Sequence, residues 1–261
     1  MRPTAIITGG SRGLGRALAH QLAEAGWNLV IDARSADQLT GAAVTLDGLG
    51  PGTVVAIRGD ITDPSHVDEL VRAATALGRF SLLVNNAGTL GPAPLPPVAD
   101  LRPTDLEQTL QVNVVAPLRV IQASLPHLRA NDGTIVNVTS DAAVEDYEGW
   151  GAYGASKAAF EQLSHILAAE EPVVRVYWVD PGDMRTAMHQ AAFPGEDISD
   201  RPTPESRVPG IARLIDERPP SGRYRVDDLL PASAAQESTG SVRDDAAAAS
   251  ASPAHTVEVS A

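Results

Sequence analysis

Short apolar runs rich in valine and isoleucine recur along the chain and predict buried strands. They lie at residues 5–7, 29–31, 54–57, 82–84, 135–138 and 173–179. Between them, apolar residues recur at helical spacing, as at Leu14, Leu18 and Leu22. Strands that are apolar on both faces and alternate with helices indicate a parallel sheet covered on both sides. The pattern therefore predicts an α/β fold, a single doubly wound, Rossmann-like domain with ligands at the carboxyl ends of its strands.

Two segments depart from this alternation. Residues 231–261 are dominated by Ala, Ser, Asp and Glu without an apolar period, which predicts a disordered tail after a domain of residues 1–230. Residues 188–209 are interrupted by proline and glycine, which predicts an irregular loop. Such a loop is either a lid over the site or an exposed connection, and loop statistics favour neither.

Composition narrows the class of function. The 261 residues carry a formal net charge of −13, which argues against nucleic acid or an anionic membrane surface as a partner. The chain has no cysteine, no apolar run of membrane-spanning length and no paired histidine spacing typical of a metal site. We therefore expect a cytoplasmic protein without a metal that acts on a small molecule.

A glycine-rich turn follows the first predicted strand. It reads Thr-Gly-Gly-Ser-Arg-Gly-Leu-Gly from Thr8 to Gly15 and runs into the first helical pattern. Glycines there let backbone N–H groups approach a pyrophosphate at a helix N-terminus, where the helix dipole favours negative charge. A tight turn without a ligand is the competing interpretation of this motif alone.

Two arginines suggest which dinucleotide binds. Arg12 lies in the glycine-rich turn, and Arg34 follows the second strand, where the adenosine ribose would sit. Guanidinium groups there favour the 2′-phosphate of NADP(H). Asp32 is an acidic residue near the same strand end, and its alignment decides whether it binds ribose hydroxyls or repels the phosphate.

Ser140, Tyr153 and Lys157 form the candidate catalytic group. Tyr153 and Lys157 are four residues apart in a helical segment, so they share a face, and Ser140 follows a predicted strand. We expect the ammonium to lower the tyrosine pKa and the serine to bind the substrate oxygen. An exposed helical pair is the alternative, but Lys157 is the only lysine of the chain.

Asn113 is a further candidate within a helical pattern at residues 105–128. Pro117, four residues later, has no N–H, so the Asn113 carbonyl lacks its helical partner and can bind a water that relays protons toward Lys157. An ordinary proline kink explains the same pattern.

Together these motifs resemble the short-chain dehydrogenase/reductase family over about residues 3–228. The family patterns T-G-x-x-x-G-x-G, N-N-A-G and Y-x-x-x-K match Thr8–Gly15, Asn85–Gly88 and Tyr153–Lys157. The resemblance implies a catalytic tetrad of Asn113, Ser140, Tyr153 and Lys157. The family's NAD-selecting acid would fall at Ala33, which favours NADP(H) despite Asp32.

The resemblance also implies a set of cofactor-binding residues. In this sequence they are Thr8, Gly9, Ser11, Arg12, Gly13, Leu14, Gly15, Arg34, Asp60, Ile61, Asn86, Ala87, Gly88, Tyr153, Lys157, Pro181, Gly182 and Thr186. Asp60 would meet the adenine, and Pro181, Gly182 and Thr186 would flank the nicotinamide amide. Residues 222–228 look like a shortened last strand, which argues against the family's tetramer and leaves a homodimer as the expected assembly.

The resulting function is NADP(H)-dependent oxidation or reduction between a carbonyl and a secondary alcohol on a small to medium organic substrate. The alternative is a non-catalytic dinucleotide-sensing protein of the same fold. A sensor has no need of the tyrosine and lysine, and both are present, which favours the enzyme.

Overall fold

The apolar runs of the sequence form strands whose two faces are both covered by helices. The computed structural model describes residues 1–230, and the predicted tail at residues 231–261 lies outside the described residues. The strands, β1 to β7, are Pro3–Ile7, Asn28–Ala33, Val54–Arg58, Arg79–Asn85, Thr134–Val138, Arg175–Asp180 and Gly222–Arg225. They form one parallel sheet in the order β3-β2-β1-β4-β5-β6-β7, which confirms the predicted doubly wound α/β fold.

Neighbouring residues of each strand contribute to opposite cores. Helices α1 to α9 are Gly13–Glu24, Ala36–Leu46, Pro64–Leu77, Pro103–Leu110, Ala116–Ala130, Gly151–Glu170, Ala187–Ala192, Pro204–Glu217 and Val226–Leu229. In β1, Ala5 and Ile7 pack with α1, α2 and α8, whereas Ile6 packs with α3, α5 and α6. This two-sided burial explains why the strands read as continuous apolar runs.

The strand order reverses at β1, which lies between β2 and β4. The connections that follow β1 and β4 therefore run to opposite sides of the sheet, and a crevice opens between them at the carboxyl ends of the strands. Thr8 and Asn86 follow these two strand ends directly. The glycine-rich turn therefore lies at the crevice.

The predicted helix at residues 105–128 is divided into three pieces. Helix α4 ends at Leu110, a π-helical turn occupies Gln111–Val115, and α5 follows. The Ala116 N–H donates to the Gln111 carbonyl, five residues earlier. This wider turn lies directly before Pro117, which has no N–H to continue the regular α-helical hydrogen bonds. The proline kink expected from the sequence is therefore a π-helical turn.

The prediction of one irregular loop over residues 188–209 is wrong at both ends. The Thr186 hydroxyl caps α7 by accepting from the His189 N–H at 3.2 Å, and α8 begins at Pro204. Proline is tolerated in a first helical turn because its missing N–H has no partner there. Residues 222–228 also divide, into the short strand β7 and the single turn α9.

Candidate active site

A cleft of about 1630 Å³ opens at the carboxyl ends of the strands. Sites for drug-sized ligands have about 300–1,000 Å³, so this cleft has room for a dinucleotide and a second molecule. All of the predicted site residues line it except Thr8, Gly15 and Asn113, which lie behind its wall.

The glycine-rich turn is held rigidly against the end of β4. The Thr8 hydroxyl accepts from the backbone N–H groups of Asn86 and Ala87, each at 3.0 Å. The Asn86 amide donates to the carbonyls of Thr8 at 2.9 Å and Gly9 at 3.2 Å. A Cβ at Gly15 would lie 2.5 Å from that amide nitrogen, so the helix can approach only with glycine there. Thr8 and Gly15 therefore shape the turn from behind.

The two arginines expected at the ribose have exposed side chains. Arg12 and Arg34 are both exposed at the cleft. The Asp60 carboxylate accepts from the N–H and the hydroxyl of Thr62, at 2.9 and 2.8 Å. These hydrogen bonds, with a smaller contribution from Arg34, lower the pKa of Asp60. Asp60 is thus a fixed anion at the part of the cleft where the adenosine is expected.

Asp32 is turned into the protein. One carboxylate oxygen accepts from the Gly9 N–H at 2.7 Å, and the other lies 3.0 Å from Nε2 of His66 on α3. Both oxygens are therefore engaged, and Asp32 serves the turn and a buried histidine. The sequence had left its role open, and no signal marked His66 as the partner, because the two residues are 34 positions apart.

Tyr153 and Lys157 lie on one face of the first turns of α6, as their spacing predicted. Both are buried, and the Lys157 ammonium lies 5.5 Å from the centre of the tyrosine ring. The ammonium donates to the Val138 carbonyl at 2.9 Å, which ties α6 to the end of β5. Ser140 follows β5, and its hydroxyl donates to Asp141 at 2.9 Å.

Burial governs the ionisation of these groups. It raises the pKa of the Tyr153 phenol well above its usual value, opposed by the Ser140 hydroxyl and reinforced by Asp141. Burial also lowers the pKa of Lys157 to about 8, although Glu161 opposes the shift. The net shift of the tyrosine pKa is therefore opposite to the one expected, because loss of hydration disfavours the phenolate.

Asn113 joins the π-helical turn to α6. Its side-chain oxygen accepts from the Thr89 N–H at 2.8 Å, and its amide donates to the Thr89 carbonyl at 2.8 Å and to the Ser156 hydroxyl at 2.9 Å. A Cβ at Gly88 would lie 3.3 Å from Asn113 and 3.9 Å from the Lys157 ammonium. The asparagine and lysine side chains thus both border Gly88, and water binding at the Asn113 carbonyl stays a prediction.

The residues expected around the nicotinamide lie opposite the glycine-rich turn. Gly182 has φ +71° and donates its N–H to Asp180 at 2.9 Å. The Thr186 methyl lies 3.7 Å from the position of a Cβ on Gly13, which itself has φ +55°. A side chain at Gly13 would enter the space between the turn and α7, so glycine keeps this part of the cleft open.

An ionic network behind Ser140 was not predicted from the sequence. Arg223 on β7 donates to Glu161 at 3.0 Å and to the Ser140 carbonyl at 3.3 Å, and it lies 3.5 Å from Asp180. The Thr139 hydroxyl also donates to Glu161, at 2.8 Å. The network joins β5, β6, β7 and α6. In the sequence, only the four-residue spacing of Lys157 and Glu161, which places both on one face of α6, could have indicated part of it.

Aromatic side chains lie close to Tyr153. Trp150 packs edge-on against Tyr153 with ring centres 5.6 Å apart, and Phe193 lies 6.0 Å from Trp150. Leu90 and Ala192 complete this apolar wall. Residues 1–230 contain no cluster of side chains suited to a metal ion and no helix long and apolar enough to span a membrane.

Comparison with known proteins identifies the family. Residues 3–197 match the family model described as short chain dehydrogenase. The chain belongs to this family. The short chain dehydrogenase asqE of Emericella nidulans is 40% identical over 179 residues, 65% of each chain. Sepiapterin reductase of Rattus norvegicus is 37% identical over 201 residues, 72% of this chain and 76% of that one.

Solved structures agree with this assignment. A short chain dehydrogenase from Escherichia coli CFT073, crystallised with NADPH, has a TM-score of 0.80 and 29% identity, and the match covers 86% of this chain and 96% of that one. The predicted family and enzyme class are thus confirmed: this short chain dehydrogenase is an oxidoreductase.

Proposed function

We propose that this short chain dehydrogenase interconverts a carbonyl and a secondary alcohol on a small to medium organic substrate, with NADP(H) as cofactor and Asn113, Ser140, Tyr153 and Lys157 as its catalytic group. The observation that carries the proposal is that one cleft is lined both by the glycine-rich turn and by Ser140 and Tyr153. Hydride and proton can then reach the same substrate.

The residues present fit the cofactor. Gly13 and Gly88 line the cleft and carry no side chain. A Cβ at Gly13 would face Thr186, and one at Gly88 would face Asn113 and Lys157, so glycine keeps the cleft wider at both positions. Arg12 and Arg34 are exposed at the cleft, Asp32 has both oxygens engaged, and Ala33 carries no charge. The crystallised relative with NADPH has the same fold. These observations favour a 2′-phosphate at the ribose.

The ionisation of Tyr153 suggests how the site works. When bound, a nicotinamide supplies or accepts the hydride. The phenol keeps its proton at neutral pH because burial raises its pKa, so it is ready to donate to a carbonyl oxygen. Ser140 can donate to the same oxygen once its hydroxyl leaves Asp141. Lys157, with its pKa about 8, is mostly charged at neutral pH and stabilises the phenolate that remains.

The wall of the cleft supports an apolar substrate near the reacting carbon. Trp150 and Leu90 line the cleft beside Tyr153, and Phe193 packs behind them against Trp150. Asp141 accepts from Ser140 and from the Tyr147 hydroxyl at 2.8 Å, so its charge is already partly satisfied. A ketone with an apolar substituent therefore suits this wall better than a cation.

The proposal is tested by following NADPH absorbance with a panel of ketones and the corresponding alcohols. Turnover of at least one ketone, faster with NADPH than with NADH, is the expected result. A protein that binds NADP(H) and turns over no member of a broad panel would favour the dinucleotide sensor instead. The homodimer and the cytoplasmic location stay predictions, to be checked by light scattering and by cell fractionation.

A further inference from the structure

A buried histidine and carboxylate lie directly beneath the glycine-rich turn. Asp32 is 2% exposed and His66 is 5% exposed. The carboxylate can only accept, so His66 Nε2 donates across the 3.0 Å between the two side chains. The second oxygen of Asp32 accepts from the Gly9 N–H at 2.7 Å. The pair therefore belongs to the frame of the cofactor cleft.

Without His66, the Asp32 carboxylate would weaken the binding of a cofactor that carries a 2′-phosphate. Asp32 lies at the lining of the cleft, two residues before Arg34. A charge removed from water and left unpaired turns toward solvent or toward the nearest donor. Here the nearest open space is the cleft, where an anion would repel a 2′-phosphate and attract ribose hydroxyls.

Gly59 leaves room for the imidazole ring of His66. A Cβ at Gly59 would lie 2.2 Å from Nδ1 of His66, so the connection after β3 can pass the ring only with glycine there. The charged groups that act on His66 come from three parts of the chain: Asp32 on β2, Asp60 before α3, and Asp63 and Glu69 at the N-terminus and within α3. All of them are acidic and favour the imidazolium.

We propose that His66 is a positioning residue that sets the cofactor preference: it holds Asp32 inside the protein and offsets its charge, so that Arg12 and Arg34 alone face the ribose. The inference rests on the proposed use of NADP(H). It predicts a preference that depends on a residue outside the cofactor's reach. His66 acts through Asp32 and touches neither substrate nor cofactor.

The proposal also predicts a pH dependence. The hydrogen bond to Asp32 raises the pKa of His66, although burial opposes the shift. Below that raised pKa the pair carries no net charge, and above it the pair is a net anion. The preference for NADP(H) over NAD(H) should therefore weaken as pH rises through the His66 pKa, which NMR of the histidine rings measures in the protein without cofactor.

The test compares His66→Leu, His66→Gln and the double variant Asp32→Asn/His66→Leu with wild type. Calorimetry gives the dissociation constants of NADP⁺ and NAD⁺, with 2′-AMP and 5′-AMP as smaller probes. The ratio of NAD⁺ to NADP⁺ dissociation constants should fall about tenfold in His66→Leu, as expected for one new like-charge interaction. It should fall less in His66→Gln, which keeps a neutral donor, and recover in the double variant. His127→Gln, a histidine that does not line the cleft, should leave the ratio unchanged.

An equal loss of affinity for both dinucleotides would overturn the proposal, because His66 would then only support the glycine-rich turn. An unchanged ratio would overturn it too. If His66→Leu does not fold, the wild type and His66→Gln decide the matter through the pH dependence of the ratio. Tighter binding of NAD⁺ by wild type would contradict the proposed cofactor instead, while the change in the ratio would still judge His66.

Discussion

Glu161→Gln offers the sharpest test of how Lys157, the lysine of the proposed catalytic group, is kept charged. Glu161 lies one helical turn after Lys157 on α6, and its buried carboxylate raises the lysine pKa against the effect of burial. The glutamine keeps the shape of the side chain and can still accept from the Thr139 hydroxyl, which lies 2.8 Å from the carboxylate. The substitution therefore removes mainly the charge.

The magnitude follows from the spacing. Side chains four residues apart on a helix are about 6 Å apart, so at an effective dielectric constant of about 20 the attraction is about 3 kcal/mol, or about two pKa units. Arg223 donates to the same carboxylate at 3.0 Å and offsets part of its charge. We therefore expect the pKa of Lys157 to fall by about one unit.

The assay is the pH profile of kcat/KM for ketone reduction with NADPH. In the proposed mechanism activity needs the ammonium, so we expect activity to be lost as pH rises through the pKa of Lys157, which is about 8 in wild type. A fall of about one unit makes Glu161→Gln about fivefold slower at pH 8 and nearly normal at pH 6. An unshifted alkaline limb in a folded variant would refute the reasoning.

A matched control separates charge from stability. Glu171 pairs with Arg129 far from the cleft, and its side chain is 9% exposed, as is that of Glu161. Glu171→Gln removes a comparable carboxylate and should lower thermal stability without moving the pH profile. Glu161→Gln should show both effects, since Arg223 also loses an ionic partner. Equal decline at every pH would indicate a purely structural role for Glu161.

Three further substitutions test the proposed site. Tyr153→Phe should abolish turnover yet bind NADP⁺ almost normally in calorimetry, since only the transferable proton is lost, and substantial remaining activity would contradict its role. Arg34→Ala should reduce kcat/KM more with NADPH than with NADH, by about 1.5–3 kcal/mol for a charged hydrogen bond, and equal losses would place the 2′-phosphate elsewhere. Lys157→Arg should impair turnover and alter the pH profile, because a planar guanidinium cannot replace a compact ammonium at the Val138 carbonyl, and a wild-type profile would argue against the role of the lysine.

The spacing of residues along the sequence was enough to predict the parallel sheet and the shared helix face of Tyr153 and Lys157. A strand covered on both sides must be apolar throughout, and residues four apart on a helix must lie together, so both conclusions follow from spacing. The π-helical turn before Pro117 was beyond that reasoning, because a helical pattern does not distinguish four-residue from five-residue hydrogen bonds.

Long-range contacts decided the chemistry of the site. The sequence by itself determined a doubly wound fold, a glycine-rich turn at its crevice and a tyrosine with a lysine beside it. Only the tertiary structure decided that Asp32 turns to His66, that Arg223 reaches Ser140 across 83 positions, and that burial raises the tyrosine pKa. The direction of a side chain and the loss of its hydration depend on which distant elements pack over it, and spacing along the chain does not encode that.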